Sequence, residues 1–193
     1  MNKDRLQAFS DGVLAVIITI MVLEMKSPIG TNLAALEPVI PVFLSYVLSF
    51  VYIGIYWNNH HHLLHATQRV NGATLWANLH LLFWLSLVPF TTSWMGENHF
   101  ARWTVVLYGT VLILCGLAYV ILSKLLVKEA GADSPLAVAL RNDWKGSLSV
   151  AVYALAVGLA FLDPRIALGL FILVALIWFI PDPRIEKRVK EME

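Results

Sequence analysis

Charge is scarce in this chain. Asp, Glu, Lys and Arg make up 14% of the 193 residues, against about 25% in ordinary soluble domains. Formal net charge is +1, which gives no signal for a polyanionic partner such as nucleic acid. There is one cysteine, Cys115, which excludes an intrachain disulfide and a cysteine-rich metal site. No P-loop, zinc motif or nucleophile elbow occurs. What remains is apolar: 59% of residues are hydrophobic and mean hydropathy is +0.71. A domain of this size still leaves about a third of its surface exposed, so a soluble protein could not hide that content. The composition excludes a soluble enzyme and a disordered chain, and it predicts a small all-α integral membrane protein with the bilayer as its surroundings.

A spanning helix needs about 20 apolar residues. The stretches free of Asp, Glu, Lys and Arg are 38–68, 70–96, 103–123, 146–162 and 166–181. They predict helices over 39–59, 74–95, 102–126, 146–163 and 165–181. A sixth helix, first in the chain, is less obvious, because only Gly12 to Leu23 is uncharged and that run spans about 18 Å. Extended over 5–25 it reaches about 30 Å, with Asp11 inside it. A cleaved leader is the rival reading. Against it, Ser10-Asp11-Gly12 stands where the apolar region should begin, and Glu24 and Lys26 crowd the cleavage position. The expectation is one domain, 1–193, with six transmembrane helices.

Six spans place both ends on one side. With that side cytoplasmic, the inner segments hold Lys3, Arg5, Arg69, Lys124, Lys128, Arg141, Lys145, Arg184, Lys187, Arg188 and Lys190. The outer ones hold only Lys26, Arg102 and Arg165. The excess of inner cations predicts cytoplasmic termini. Trp94 and Trp103 then fall near the outer interface, and Trp57, Trp76, Trp144 and Trp178 near the inner one, as aromatic belts do. A short surface helix is expected from Pro135, after the Asp133-Ser134 cap.

An ionisable residue inside a membrane helix is a functional candidate. At about 100° per residue, Gly12, Val16, Thr19, Ile20 and Leu23 share one face of the first helix. Ser10 and Asp11 point away from that stripe. A carboxylate left unpaired in apolar surroundings costs several kcal/mol, so Asp11 needs partners unless it only snorkels to the interface. Arg5 is six positions away, which is not an intrahelical pairing distance. The candidates at the same depth are Trp57, Asn58, His60 and His61 in the second helix, and Asn78 and His80 in the third. By itself the apolar stripe suits plain helix packing better than a pore.

His60, His61, His62 and His65 invite a metal reading, since His61 and His65 are four apart. No carboxylate or cysteine lies near them in sequence, so an interfacial histidine cluster is the preferred reading; a proton-sensing role is the other one weighed. Thr91, Thr92 and Ser93 follow Pro89 and are expected to bond freed carbonyls. Ser45, Ser49 and Thr110 read as polar contacts between helices. Cys115 reads as a small inert apolar residue.

One stretch is more specific. Arg5-x-x-x-Phe9-Ser10-Asp11 continues as Gly12-Val13-Leu14-Ala15-Val16-Ile17-Ile18-Thr19 and then Leu23-Glu24. It resembles the signature of the transmembrane protein 175 potassium channel family, in its single-repeat prokaryotic form. Six predicted helices, the Trp57-Asn58-Asn59-His60-His61 stretch and Leu87-Val88-Pro89-Phe90 agree with it. The resemblance implies a potassium-permeable channel of the prokaryotic cell membrane, not an enzyme, assembled as a homotetramer around its first helices. It implies pore-lining roles for Val16, Thr19, Ile20 and Leu23, with a constriction at Val16, where the family usually has Ile or Leu. It also implies that Phe9, Ser10 and Asp11 hold helices together off the pore axis. No cofactor, resident metal, nucleic acid or soluble partner is expected; potassium passes as permeant, with Thr19 as its meeting point. A ring of apolar side chains gates by dewetting. Glu24 at the outer mouth would concentrate cations within a screening length of about 8 Å. The alternative weighed is a proton-coupled secondary transporter using Asp11; a metal-dependent membrane enzyme built on the histidines is a third.

Overall fold

The computed structural model describes residues 3–67, 70–131, 134–140 and 144–179. Its order is α1 (Lys3–Leu23), a 3-10 helix (Leu33–Val39), α2 (Ile40–His65), α3 (Gly72–Ser86), α4 (Val88–Glu97), α5 (Arg102–Ala130), α6 (Pro135–Leu140), α7 (Trp144–Leu159) and α8 (Pro164–Phe179). No strand occurs among the described residues. Four stretches are long and apolar enough to cross a membrane: Lys3–Leu23, Leu33–His65, Gly72–Glu97 and Arg102–Ala130. The helices α7 and α8 have 16 residues each, about 24 Å at the α-helical rise.

The helix ends differ from expectation in ways that local chemistry explains. The first helix stops at Leu23, so Glu24 and Met25 lie beyond it. The second runs on to His65, which carries the whole histidine run into regular helix. The expected third helix, 74–95, is two segments, α3 and α4, meeting at Leu87. Pro89 has no N–H to donate, so the ladder is interrupted there. Thr91 Oγ1 donates to Val88 O at 3.1 Å and Thr92 Oγ1 to the same carbonyl at 2.7 Å; these bonds brace the first turn of α4 and do not reach Leu85 O, the carbonyl four residues before Pro89 that loses its donor. The long α5 ends at Gly131, whose φ of +93° suits a residue without Cβ. Asn71 caps α3 by accepting from Thr74 N. Asp133, Arg69, Arg141 and everything from residue 180 onward, including the tail of mixed charge, lie outside the described residues.

Two apolar cores stack along the bundle. In one, Leu6, Leu14, Ile17 and Met21 of α1 pack with Leu81 and Leu85 of α3 and with Cys115 and Leu122 of α5. In the other, Tyr52, Tyr108, Tyr153 and Phe171 join α2, α5, α7 and α8. Ser49 of α2 adds a polar link to α4 and α5, touching Thr92 Oγ1 at 2.7 Å and the Tyr108 hydroxyl at 3.0 Å. Such bonds hold helices together where lipid provides no hydrophobic drive between them. Gly96 lets α4 lie against α2: a Cβ there would stand 2.6 Å from Val42 Cα.

The polar seam and the uncovered face of the first helix

Three residues of α1 fix it against α2 and the turn that follows. Lys3 Nζ donates to Thr67 O at 3.1 Å and to His65 O at 3.3 Å. Gln7 Nε2 meets His61 Nδ1 at 3.1 Å. Trp57 Nε1 donates to Asp11 Oδ1 at 3.0 Å. Positions 3, 7 and 11 descend one face of α1 while 65, 61 and 57 climb one face of α2, so the helices are antiparallel in a constant register. The α2 side of this seam is a stack: Trp57 and His61 rings are 6.1 Å apart, and so are His61 and His65.

A second, buried chain joins α1, α2 and α3. Ser10 Oγ donates to Leu6 O at 2.9 Å. Its proton is thereby used, so Ser10 accepts from Asn78 Nδ2 at 3.0 Å. The Asn78 carbonyl oxygen then faces His60 Nε2 at 2.7 Å, which makes His60 the donor. Nδ1 of His60 is buried with no partner. Ser10, His60 and Asn78 are all buried.

The candidate network is thus partly assembled. Ser10, His60 and Asn78 meet in one chain, and Asp11 with Trp57 and His61 with Gln7 form the neighbouring seam. His80 is not among them. It lies two residues beyond Asn78, about 200° further round the helix, exposed, and it accepts from Trp84 Nε1 at 2.8 Å. Arg5 is exposed, and no bond among the described residues joins it to Ser10 or Asp11. Phe9 is exposed too. Lys3 and Gln7 were missed by sequence reasoning, although the steps of four from Lys3 to Gln7 to Asp11 match those from Trp57 to His61 to His65. No group of three His, Cys, Asp or Glu suited to a metal occurs among the described residues.

The other side of α1 is bare. Leu6, Ser10, Leu14, Ile17 and Met21 are buried, whereas Gly12, Val16, Thr19, Ile20 and Leu23 are all exposed. Val16 is 55% and Leu23 78% exposed. Thr19 Oγ1 donates to Val16 O at 2.9 Å, so its lone pairs are presented outward. Along one flank, α1 and α4 enclose an open groove of ≈ 860 Å³ walled by Phe9, Val16, Ile20, Pro89, Phe90 and Trp94. Its outer rim carries Glu24, which accepts from Ser93 Oγ at 3.4 Å, and Glu97, which pairs with Lys26 at 3.1 Å.

An all-helical bundle with four stretches of membrane-spanning length, sewn by buried polar bonds, defines an integral membrane protein. A family profile described as endosomal/lysosomal potassium channel TMEM175 matches residues 5–89, the part that holds α1, α2, α3 and the polar seam. The chain is 54% identical to a potassium channel of Chryseobacterium sp. over 99% of its own length and 100% of that protein. It is 33% identical to a potassium channel of Streptomyces collinus, covering 91% of each. Among solved structures, a lysosomal potassium-selective channel TMEM175 homolog from Chamaesiphon minutus superposes with a TM-score of 0.77 at 26% identity, over 92% of this chain and 96% of that one. The chain belongs to the TMEM175 family. The family and these relatives are ion channels, not enzymes.

Proposed function

We propose that this chain forms a potassium-permeable cation channel of the bacterial plasma membrane. Four copies surround a central pore lined by α1, with Val16, Thr19, Ile20 and Leu23 facing the axis. Each subunit spans the membrane six times, counting α3 with α4 as one span, and keeps both ends in the cytoplasm. The observation that carries this reading is the uncovered stripe on α1. Its polar residue, Thr19, presents an oxygen, and the seam on the opposite side anchors the helix to its own subunit. The kinship to proteins named as potassium channels supports the choice of ion.

The chemistry follows from the residues. Val16 and Leu23 are seven positions apart, about 10 Å along the helix. Rings of such side chains exclude water when narrow, so a small change of radius switches conduction. Between them, the Thr19 hydroxyls are already committed as donors to Val16 carbonyls. Four oxygens acting only as acceptors favour a cation over an anion. They replace part of its hydration shell with a weaker field than stacked carbonyl rings, so the preference for potassium over sodium is modest. Glu24 at the outer rim raises the local cation concentration, whereas the charge of Glu97 is compensated by Lys26.

Potassium flux into liposomes containing the purified protein tests the assignment. Wild type conducts, Leu23→Ala raises the flux, and Thr19→Ala changes the ratio of potassium to sodium flux. A silent wild type, with both variants equally silent, removes the pore from α1. Flux that appears only with a proton gradient moves the function to a proton-coupled transporter.

A further inference from the structure

His80 holds a hydrogen-bond donor that its own chain leaves without an acceptor. Its Nε2 accepts from Trp84. A ring nitrogen that accepts carries no proton, so the ring is neutral with its proton on Nδ1. No acceptor meets Nδ1 among the described residues. His80 is exposed, yet it lies eight residues into the apolar stretch Gly72–Glu97, about 12 Å from its inner end. Lipid tails offer no acceptor at that depth, and an unpaired polar group there costs several kcal/mol.

A matching acceptor lies at the same level. Asp11 is half-buried, and of its two carboxyl oxygens only Oδ1 is taken, by Trp57. Two contacts, Asn78 with Ser10 and Ser93 with Glu24, show that α1 runs parallel to α3 and α4 in matched register. Leu79 is therefore level with Asp11, and His80 with Gly12. Within one chain no bond joins His80 to Asp11. The flank of α1 beside Asp11 is exposed and small, with Ala8 and Ala15 on it, which permits close approach by another helix.

We infer that this flank of α1 and the His80 face of α3 meet between neighbouring copies of the chain, with His80 Nδ1–H of one copy donating to the free Asp11 oxygen of the next. The bond ties the seam behind each pore helix to the adjacent subunit, and the same contact repeated around the axis closes the ring. This deepens the channel reading and rests on it.

Ala15 and Phe83 stand at one level on these two faces, are exposed and take no part in the polar bonds. Cys115 is fully buried, so it contributes no background. Ala15→Cys and Phe83→Cys are co-expressed as separate single variants with different tags, and the membranes are oxidised with copper phenanthroline. A disulfide-linked dimer carrying both tags is expected. In parallel, native mass spectrometry in detergent follows His80→Asn, whose amide keeps a donor at the Nδ1 position, and His80→Leu, which removes it. His80→Asn retains the oligomer, and His80→Leu raises its dissociation constant roughly tenfold or more. No mixed-tag dimer, in a protein that is still a conducting oligomer, overturns this interface and leaves the channel reading in place. Equal stability of the two His80 variants overturns the hydrogen bond. A monomeric, silent wild type overturns the channel reading itself.

Discussion

At the scale of single residues, Asn78 is the hinge of the polar arrangement. Its amide faces two ways, donating to Ser10 and accepting from His60, and both bonds are buried. Asn78→Leu would leave His60 with neither ring nitrogen bonded in the core. Burying an unsatisfied polar group costs about 1–3 kcal/mol. The variant is expected to unfold at lower temperature in detergent by a shift of that size, with flux falling because α1 loses its tie to α3. Ser10→Ala is the milder companion: it removes the Asn78 acceptor but leaves the His60 bond. A thermal melt in which Asn78→Leu matches wild type would remove the network from the fold's energetics.

At the scale of elements, the close approach of α2 and α4 is the exacting feature. Gly96 faces Val42 and Ser45, and a methyl group there would stand 2.5 Å from Ser45 Oγ and 2.6 Å from Val42 Cα. The hydroxyl can rotate away; the backbone atom cannot. Gly96→Ala must separate the two helices, at about 1–3 kcal/mol for an overpacked core. The same shift would move the wall of the α1–α4 groove. The expected outcome is a less stable protein with altered conduction, read by melting and by liposome flux side by side. Gly12→Ala is the control, since nothing lies within 4 Å of a Cβ at that position, and its fold stability is expected to stay within about 1 kcal/mol of wild type.

At the scale of the whole molecule, the prediction is one of sidedness. The seam that joins α1 to α2 ends at Lys3, which donates to the carbonyls of His65, the last of the histidine run, and of Thr67 just beyond it. Small epitope tags added at the two ends are expected to be protected together from protease in right-side-out vesicles and cleaved together in inverted ones. Protection of one end alone would mean an odd number of spans. With no three-ligand group among the described residues, a chelator is expected to leave potassium flux unchanged, and flux measured before and after EDTA checks this.

The sequence by itself determined what depends on composition and on periodicity within one segment. Uncharged runs marked the long apolar helices, and 100° per residue separated Ser10 and Asp11 from the Val16, Thr19 and Leu23 stripe. Burial of Ser10 and exposure of that stripe follow the same division, because the rotation between residues on a helix is a local property. Tertiary structure decided what depends on two segments at once. Among the partners at similar depth, Trp57 meets Asp11 and Asn78 meets Ser10, while His80 turns away, since pairing across helices is set by register and rotation together. The break at Leu87 was equally hidden. Hydropathy runs through it without a change, and only Pro89, which has no N–H to offer the carbonyl of Leu85, divides α3 from α4. Lys3 and Gln7 joined the seam for the same reason: a spacing of four is visible in one helix, but which face it meets is fixed only when the other helix is in place.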